Sequence, residues 1–371
     1  MKRLMYILLG TLLIVSLYSC REDLCYGHNH GKTVNFFVDW IQDFDIYWSE
    51  DWRDKYNNSF EIDWNKLAIA EPEGVRTVIY PWSKDKGKII RNMPSSGGQV
   101  ILNHGYYDCL LYNNDTEFIQ FDDTDNAALS TATTRSRNVV SFSMTMDKLE
   151  ENVVNQPDML FSAAVDSLQI EYNEFNLDDV ESTVEKFKDL DITMYPLVHT
   201  YVLRFNIESG MKYVAVARGM LKNMAGTVNM MTGKTLSDMV SLEFEEFTKD
   251  AGGITAYIKS FGLCNYNPGF GNSEARGFYD NTSESRSDRP RSTGNEKNTL
   301  TIQLALESGK IKTVEFDVTE ELRKQPRGGV LTVGGIVITA EEGAGPSGNF
   351  GVNLNPWNTE DNFINMERKD N

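Results

Sequence analysis

The sequence has few of the residues that most often carry catalysis or bind metals. Its 371 residues include only four histidines, and no G-x-S-x-G elbow, phosphate-binding loop or H-E-x-x-H zinc motif occurs. Cys25, His28 and His30 come closest to a metal cluster, but their spacing suits no standard zinc site. We therefore predict no catalytic residue, no metal site, no cofactor and no enzymatic activity. A glycosidase stays an alternative, because its two acids need only be adjacent in space.

Positive charge is also scarce. Lysine and arginine total 36 against 54 aspartates and glutamates, which gives a formal net charge of −18 at pH 7. Such a surface repels the phosphates of nucleic acids and of anionic lipid headgroups. We therefore predict no nucleic acid partner. With 40% hydrophobic and 11% aromatic residues, the chain can still bury a large core.

Long apolar runs are absent except near the N-terminus. After two basic residues, positions 5–15 are almost wholly apolar and small Ser19 precedes Cys20, as in a secretory signal peptide. The run is short for a membrane span, which needs about 20 apolar residues. The ending LYSC resembles a bacterial lipobox, although Tyr18 replaces the usual small residue. We predict a lipoprotein signal peptide over residues 1–19 and lipid attachment at Cys20; an ordinary signal peptide with an incidental cysteine is the alternative.

Charged residues follow the predicted attachment point. Arg21, Glu22 and Asp23 are similar to the basic-then-acidic tripeptide by which some Gram-negative bacteria export lipoproteins to the cell surface. The alternative is a solvated tether without an export role. We predict a lipidated tether over residues 20–33 and a lipid-anchored location at the cell outer membrane, exposed to the surface.

Cysteine is too scarce to support the fold covalently. Acylation of Cys20 would leave Cys25, Cys109 and Cys264. An odd and widely scattered set does not form a disulfide framework. Stability is therefore expected to come from packing.

Alternation of apolar and polar side chains is the main periodic signal. The longest alternating runs are VNFFVDW from Val34, NVVSFSMTMD from Asn138, HTYVLRFNIES from His199, NTLTIQLALES from Asn298 and KTVEFDVTEE from Lys312. Shorter strands are predicted at 75–80, 99–102, 106–112, 213–217, 254–260 and 331–338. Alternation indicates antiparallel strands with one face against a core. Repeated short strands separated by turns favour an all-β fold of β-sandwiches.

A change of pattern marks the predicted domain boundary. Between residues 172 and 196 the alternation stops, acidic residues accumulate and apolar residues recur at helical spacing, which indicates a crossover or short helix. We predict an N-terminal β-sandwich over 34–190 and a C-terminal one over 191–371. The latter includes an irregular stretch at 264–298, a length typical of a mobile or binding loop.

Tryptophan is concentrated in the first 82 residues, beside several aspartates. Five of the six are found there: Trp40, Trp48, Trp52, Trp64 and Trp82. One interpretation is that exposed aromatic rings bind a sugar or form a subunit interface, with Trp48 and Trp52 as the candidates. The other is that Trp40 and Trp64 complete a core while the remaining rings pack over one end of the sandwich.

Five stretches together carry a family resemblance. They are EPEGVRTVIYPW from Glu71, GQVILNHGYYDCLLYNNDTEFIQFDD from Gly98, NQPDMLFSA from Asn155, HTYVLRFNIES from His199 and ARGMLKNMAGTVNMMTGK from Ala217. In this order they resemble the fimbrillin superfamily of type V pili, in the branch of anchor-like lipoproteins with a domain of uncharacterised function. The resemblance implies two transthyretin-like antiparallel β-sandwich domains in series, and assembly by donation of a strand from one subunit to another.

Two functions follow as expectations. The resemblance implies a structural lipoprotein that anchors a fimbria or serves as its accessory subunit, with fimbrillin-like pilus subunits as partners. A donated strand would satisfy the unpaired N–H and C=O groups of an incomplete sheet edge. The alternative is a surface lipoprotein for adhesion that binds a host protein or glycan through the Trp-rich segment.

Two residues are candidates for processing. Stalk fimbrillins are activated by cleavage after an arginine, and Arg53 is the arginine nearest a suitable point behind the first strand; the alternative is an ordinary surface arginine. Ser167 lies in Asp166-Ser167-Leu168, which matches a short pattern used for bacterial O-glycosylation. Arg53 is therefore a candidate for proteolytic maturation, and Ser167 is a candidate for O-glycosylation.

Overall fold

The computed structural model describes residues 31–44, 48, 52, 56, 58–83, 85–122, 125–136, 152–171, 187–244, 246–267 and 297–344. The strands in these ranges are β1 Lys32–Trp40, β2 Gly74–Pro81, β3 Ile89–Pro94, β4 Gly97–Leu102, β5 Gly105–Tyr112, β6 Ile119–Asp122, β7 Thr131–Thr134, β8 Val153–Val154, β9 Phe161–Ile170, β10 Phe187–Pro196, β11 His199–Ser209, β12 Val214–Ala225, β13 Thr227–Asn229, β14 Met239–Phe244, β15 Phe247–Asp250, β16 Gly253–Ser260, β17 Thr299–Leu306, β18 Ile311–Asp317 and β19 Gly329–Val337. The α-helices with defined bounds are α1 Thr319–Lys324 and α2 Ala340–Gly343, and 3-10 turns lie at Trp64–Lys66, Ala127–Leu129 and Met211–Tyr213. The predicted all-β class is confirmed.

Most strands predicted from alternation are confirmed. The long runs correspond to β1, β11, β17 and β18, and the shorter predictions match β2, β4, β5, β12, β16 and β19. The run from Asn138 lies outside the described residues, as does most of the predicted 264–298 loop.

The helical interpretation of residues 172–196 is wrong over its second half. Residues 187–196 form the strand β10, while 172–186 lie outside the described ranges. Ile192 and Met194 are buried and alternate with the more exposed Asp191 and Thr193. The period is therefore two, which places the apolar side chains on the core face.

Four sheets organise the described chain. The seven-stranded sheet has the order β3-β2-β5-β9-β10-β1-β4. Its two edge strands, β3 and β4, are separated in sequence only by Ser95 and Ser96, so the sheet must curl until its ends approach one another. The curled sheet encloses one hydrophobic core, which includes Phe36, Leu111 and Phe161.

The C-terminal half, together with the short strand β8, forms a two-layered sandwich. A four-stranded sheet, β15-β16-β11-β19, packs on a five-stranded sheet, β18-β17-β12-β14-β8, and Tyr201, Leu242 and Ile302 lie in the shared core. A three-stranded sheet, β13-β7-β6, covers Val78 and Leu110 on the outer face of the seven-stranded sheet. Packing therefore joins the two halves of the chain.

The prediction of purely antiparallel sheets is wrong at three strand pairs. Strand β1 runs parallel to β10, β11 runs parallel to β19 and β8 runs parallel to β14. Long connections separate the members of each pair, and such connections allow parallel neighbours. The predicted division at 190/191 stays a prediction; that point falls inside β10.

Acid is expected to destabilise the fold through His199. This side chain is 5% exposed, and burial together with the nearby charge of Arg327 lowers its pKa from 6.5 to about 3. Below pH 6.5 the unfolded chain therefore binds a proton that the folded chain excludes. We expect the free energy of unfolding to fall by about 1 kcal/mol per pH unit between pH 6.5 and 5, with the slope approaching about 1.4 kcal/mol per unit at the lower end.

Urea unfolding at pH 7.0, 6.0 and 5.0 measures this dependence. His199→Asn should flatten it, because asparagine does not titrate in this range. Equal pH slopes for the wild type and His199→Asn would contradict the assignment.

Candidate assembly interface

Strand β1 is the first described strand and is paired on both sides. It pairs in parallel with β10 from Thr33 to Trp40, and antiparallel with β4 from Lys32 to Phe37. Pairing on both sides satisfies the N–H and C=O groups of its central residues. Strand β1 thus fills a position between two other strands that would stand open without it.

The side chains of β1 also complete the core of the seven-stranded sheet. Val34 is fully buried and Phe36 is 1% exposed. The ring of Trp40 meets the ring of Phe161 edge-on at 5.3 Å, and its indole N–H donates to the carbonyl oxygen of Ser95 at 2.9 Å. Removing β1 would therefore expose apolar surface as well as backbone polar groups.

The start of β4 is shaped to receive β1 closely. Gly97 has a φ of +97°, and a Cβ atom there would collide with the carbonyl oxygen of Phe36. A residue with a side chain would therefore be strained and would also displace β1. The glycine fixes the approach of the two strands at the β3–β4 turn.

The predicted lipid-attachment and export residues, Cys20 and Arg21 to Asp23, lie outside the described residues. Lys32, the first residue of β1, follows Cys20 by twelve residues. An extended chain spans at most about 3.5 Å per residue, so a lipid on Cys20 would hold β1 within about 40 Å of a membrane.

Trp48 and Trp52 are buried rather than exposed. They are 2% and 5% exposed, whereas Trp64 and Trp82 are 47% and 54% exposed. The interpretation in which Trp64 completes a core is therefore wrong. The proposed ligand or interface role of Trp48 and Trp52 stays a prediction, but a ligand would reach either ring only after a rearrangement.

Both tryptophans belong to a group of rings, the aromatic cluster, made of Phe44, Trp48, Trp52, Tyr56 and Phe60. Successive members lie four residues apart, the spacing of one face of a helix. The ring centroid of Trp48 lies 4.8 Å from that of Phe44 and 5.1 Å from that of Trp52. Edge-to-face contacts of this kind stabilise the cluster beyond the area that it buries.

The aromatic cluster packs on the outer face of the four-stranded sheet. It contacts Val202 of β11 and Val330 of β19. The guanidinium of Arg204 lies 5.0 Å from the centroid of the Phe60 ring and donates to both carboxylate oxygens of Asp250, at 2.6 and 2.9 Å. These hydrogen bonds lower the pKa of Asp250. The N-terminal segment is thus attached to the C-terminal sandwich. Arg53 lies outside the described residues.

Ser167 is exposed and stands at an irregularity of β9. Its φ is +58°, and the register between β5 and β9 shifts between the Tyr107 and Cys109 positions. Its backbone N–H donates to Oδ1 of Asp108 at 3.0 Å. Ser167 is therefore accessible to a modifying enzyme, and its glycosylation stays a prediction.

The structure describes two of the four histidines in the sequence. His104 is exposed and His199 is buried in the core. In the described ranges, no three His, Cys, Asp or Glu side chains are grouped so that they could hold a metal ion. Nor do those ranges contain a helix with the length and apolar character needed to cross a bilayer.

Comparison with known proteins identifies related sequences. A family model described as a domain of unknown function, DUF5119, matches residues 49–245, more than half of the chain. The "Putative fimbrium anchoring subunit Fim4B" of Bacteroides ovatus is 26% identical over 205 residues, covering 54% of this chain and 55% of the relative. The chain thus spans about half the length of the curated relative that it matches.

Solved structures with a similar fold also exist. A "putative adhesin" from Bacteroides ovatus superposes with a TM-score of 0.55 at 19% identity, covering 83% of this chain and 93% of that chain. The fimbrial anchor protein Mfa2 from Porphyromonas gingivalis gives a TM-score of 0.42 at 8% identity, covering 81% of this chain and 90% of the Mfa2 chain. The first of these two structures shares the overall fold.

Proposed function

Because the chain belongs to the family of the domain of unknown function DUF5119, we propose that it is a structural cell-surface lipoprotein that anchors a fimbria or serves as its accessory subunit. The sequence match to a protein named as a fimbrium anchoring subunit carries this proposal. That match confirms the predicted resemblance to anchor-like fimbrial proteins. The chain acts by holding partners, and catalysis is not part of the proposal.

Anchoring would be achieved by lipid on Cys20. Two or more acyl chains bind a bilayer stably, since each buried methylene contributes about 0.8 kcal/mol. Arg21 to Asp23 would direct the lipoprotein to the outer face of the outer membrane. Strand β1, starting at Lys32, would then connect the lipid directly to the folded body.

Assembly would use strand donation between subunits. In this proposal the two halves act as transthyretin-like sandwiches in series, and the anchor keeps β1 in its own seven-stranded sheet. Fimbrillin-like pilus subunits would add a strand at a sheet edge, where main-chain groups are available for pairing. The four described sheets end on β3 and β4, β15 and β19, β18 and β8, and β13 and β6, which are the candidate edges.

Cleavage after Arg53 would oppose an anchoring role. It would separate β1, Trp48 and Trp52 from the rest of the chain, although the two rings are packed on the C-terminal sandwich. We therefore propose that the anchor is not cleaved after Arg53. A cleaved chain would instead suit a polymerising or tip subunit.

Mass spectrometry of the protein purified from its native membrane tests the proposal. We expect a chain that starts at acylated Cys20, contains intact Arg53 and co-purifies with fimbrillin-like subunits. Cys20→Ala should move at least about nine-tenths of the protein from the membrane to the soluble fraction, because the acyl chains are lost. The same spectra would show whether Ser167 carries a glycan.

Two results would contradict the anchor. One is a lipid-free chain that starts after Arg53. The other is a Cys20→Ala variant that remains with the membrane as fully as the wild type.

A further inference from the structure

Two exposed aromatic rings lie side by side at one end of the seven-stranded sheet. Trp82 directly follows β2, and Tyr106 is near the start of β5; they are 54% and 44% exposed. Their ring centroids are 5.2 Å apart with an interplanar angle of 25°, a stacked arrangement. The backbone N–H of Trp82 donates to the carbonyl oxygen of Tyr106 at 2.9 Å, so the two strands hold the rings together.

The pair faces away from the core. Along β5, Tyr107 and Cys109 point into the core of the seven-stranded sheet, and successive side chains of a strand alternate between faces. Tyr106 and Asp108 therefore share the opposite face. The three-stranded sheet covers that face farther along, at Val78 and Leu110.

The orientation of Trp82 is fixed before any ligand arrives. Its indole N–H donates to Oδ1 of Asp108 at 3.0 Å, and the backbone N–H of Ser167 donates to the same oxygen at 3.0 Å. A ring held in this way loses little conformational entropy when a ligand stacks on it. An exposed, preoriented tryptophan is thus well suited to bind a ligand.

Carboxylates next to the rings supply hydrogen-bond acceptors. Asp166 lies on β9 opposite the Asp108 position of β5, and burial together with the nearby charge of Asp108 raises the pKa of Asp166. Ionised carboxylates accept hydrogen bonds and cannot donate them. A ligand that suits this surface therefore has an apolar face for the rings and several hydroxyl donors at its edge.

We propose that Trp82 and Tyr106, with Asp108 and Asp166, bind a neutral pyranose sugar of an external polysaccharide. The C–H face of a pyranose packs on an aromatic ring, and its hydroxyls donate to the carboxylates. Binding sites commonly combine an apolar surface with a few convergent polar groups. This site lies away from the aromatic cluster, so it does not use Trp48 or Trp52.

Charge and hydrogen bonding exclude two other ligands. Acidic glycans would be repelled by the two aspartates and by the net charge of −18. Proline-rich peptides present carbonyl acceptors, but the indole N–H of Trp82 already donates to Asp108 and the two carboxylates can only accept, so of these four side chains only the Tyr106 hydroxyl is left to donate. A neutral sugar is the ligand whose donors match this surface.

Binding of the mature protein to immobilised neutral hexasaccharides tests the proposal. The probes are hexamers of glucose, galactose, mannose and N-acetylglucosamine, with heparin and a proline-rich peptide as comparison ligands. We expect at least one neutral hexamer to bind, and Trp82→Ala and Tyr106→Ala each to weaken that binding by about tenfold or more. Trp64→Ala, a similarly exposed tryptophan elsewhere, should change it less than about twofold.

Several outcomes would overturn the proposal. They are no binding to any neutral hexamer, binding that Trp82→Ala and Tyr106→Ala leave unchanged, and preferred binding to heparin or to the peptide. Thermal unfolding of each variant checks its fold, and Tyr106→Ala gives an independent result if Trp82→Ala is unstable. Any of these outcomes would leave the anchoring proposal standing, since that depends on lipid and on protein partners.

Discussion

Replacing Phe36 by aspartate is expected to unfold the seven-stranded sheet, whereas the same replacement at Phe37 is expected to leave stability nearly unchanged. Phe36 is 1% exposed and packs in the core, while its neighbour Phe37 is 51% exposed on the other face of β1. The change at Phe36 both removes a buried ring and places a charge in an apolar site. Together these effects should cost at least about 5 kcal/mol, comparable to the whole stability of many domains.

Urea unfolding monitored by circular dichroism measures both variants. The two substitutions have the same chemistry and adjacent positions in one strand, so composition and net charge are matched. A Phe36→Asp protein with wild-type stability would show that β1 is not part of the folded core. An equal loss at Phe37 would show that the outer face of β1 is also packed.

The result bears on strand donation because any strand donated into the position of β1 must supply what β1 supplies. Such a strand needs apolar side chains at the positions of Val34 and Phe36, together with main-chain groups for β4 and β10. A peptide of residues 32–40 should therefore restore folded structure to a chain from which β1 has been removed, and its Phe36→Asp form should not. In an anchor that retains β1, the position between β4 and β10 is occupied and therefore closed to a donated strand.

Alternation predicted the strands in which every second side chain enters a core. The runs that became β1 and β11 could be recognised because Val34 and Phe36, or Tyr201 and Leu203, recur with a period of two. Strand β9 was missed for a physical reason. Val165 and Leu168 both face the core, but the irregularity at Ser167 sets them three positions apart instead of two.

The candidate site could be predicted only in part. The first strand followed from sequence, but its two partners did not, because pairing with β10 links residues about 150 positions apart. The stacking of Trp82 on Tyr106 likewise depends on pairing between β2 and β5. The local sequence of a strand does not determine which distant strand it pairs with, or in which register.

The burial of Trp48 and Trp52 did have a sequence signal. The rings of the aromatic cluster recur every four residues, and the described members Phe44, Trp52 and Tyr56 are helical. Such spacing places large side chains on one face of a helix, which favours packing over ligand binding. Composition alone, with several tryptophans beside aspartates, could not distinguish rings packed in a core from rings that bind a ligand.

Replacing Trp48 by alanine is therefore expected to lower the free energy of unfolding by about 3–5 kcal/mol, the usual cost of removing a large buried aromatic side chain. Trp48 is 2% exposed, contacts Phe44 and Trp52, and lies on the face formed by Val202 and Val330. Its loss would leave a cavity between the N-terminal segment and the C-terminal sandwich. Thermal and urea unfolding measure the effect.

Trp64→Ala is the matched control for this change. Trp64 stacks on Phe44 at a centroid distance of 5.9 Å but is 47% exposed, so its removal should cost about 1 kcal/mol or less. If Trp48 served only to bind a ligand, Trp48→Ala would keep the stability of the wild type and would lose adhesion. A large loss of stability at Trp48 would instead mean that the aromatic cluster holds the N-terminal segment against the C-terminal sandwich.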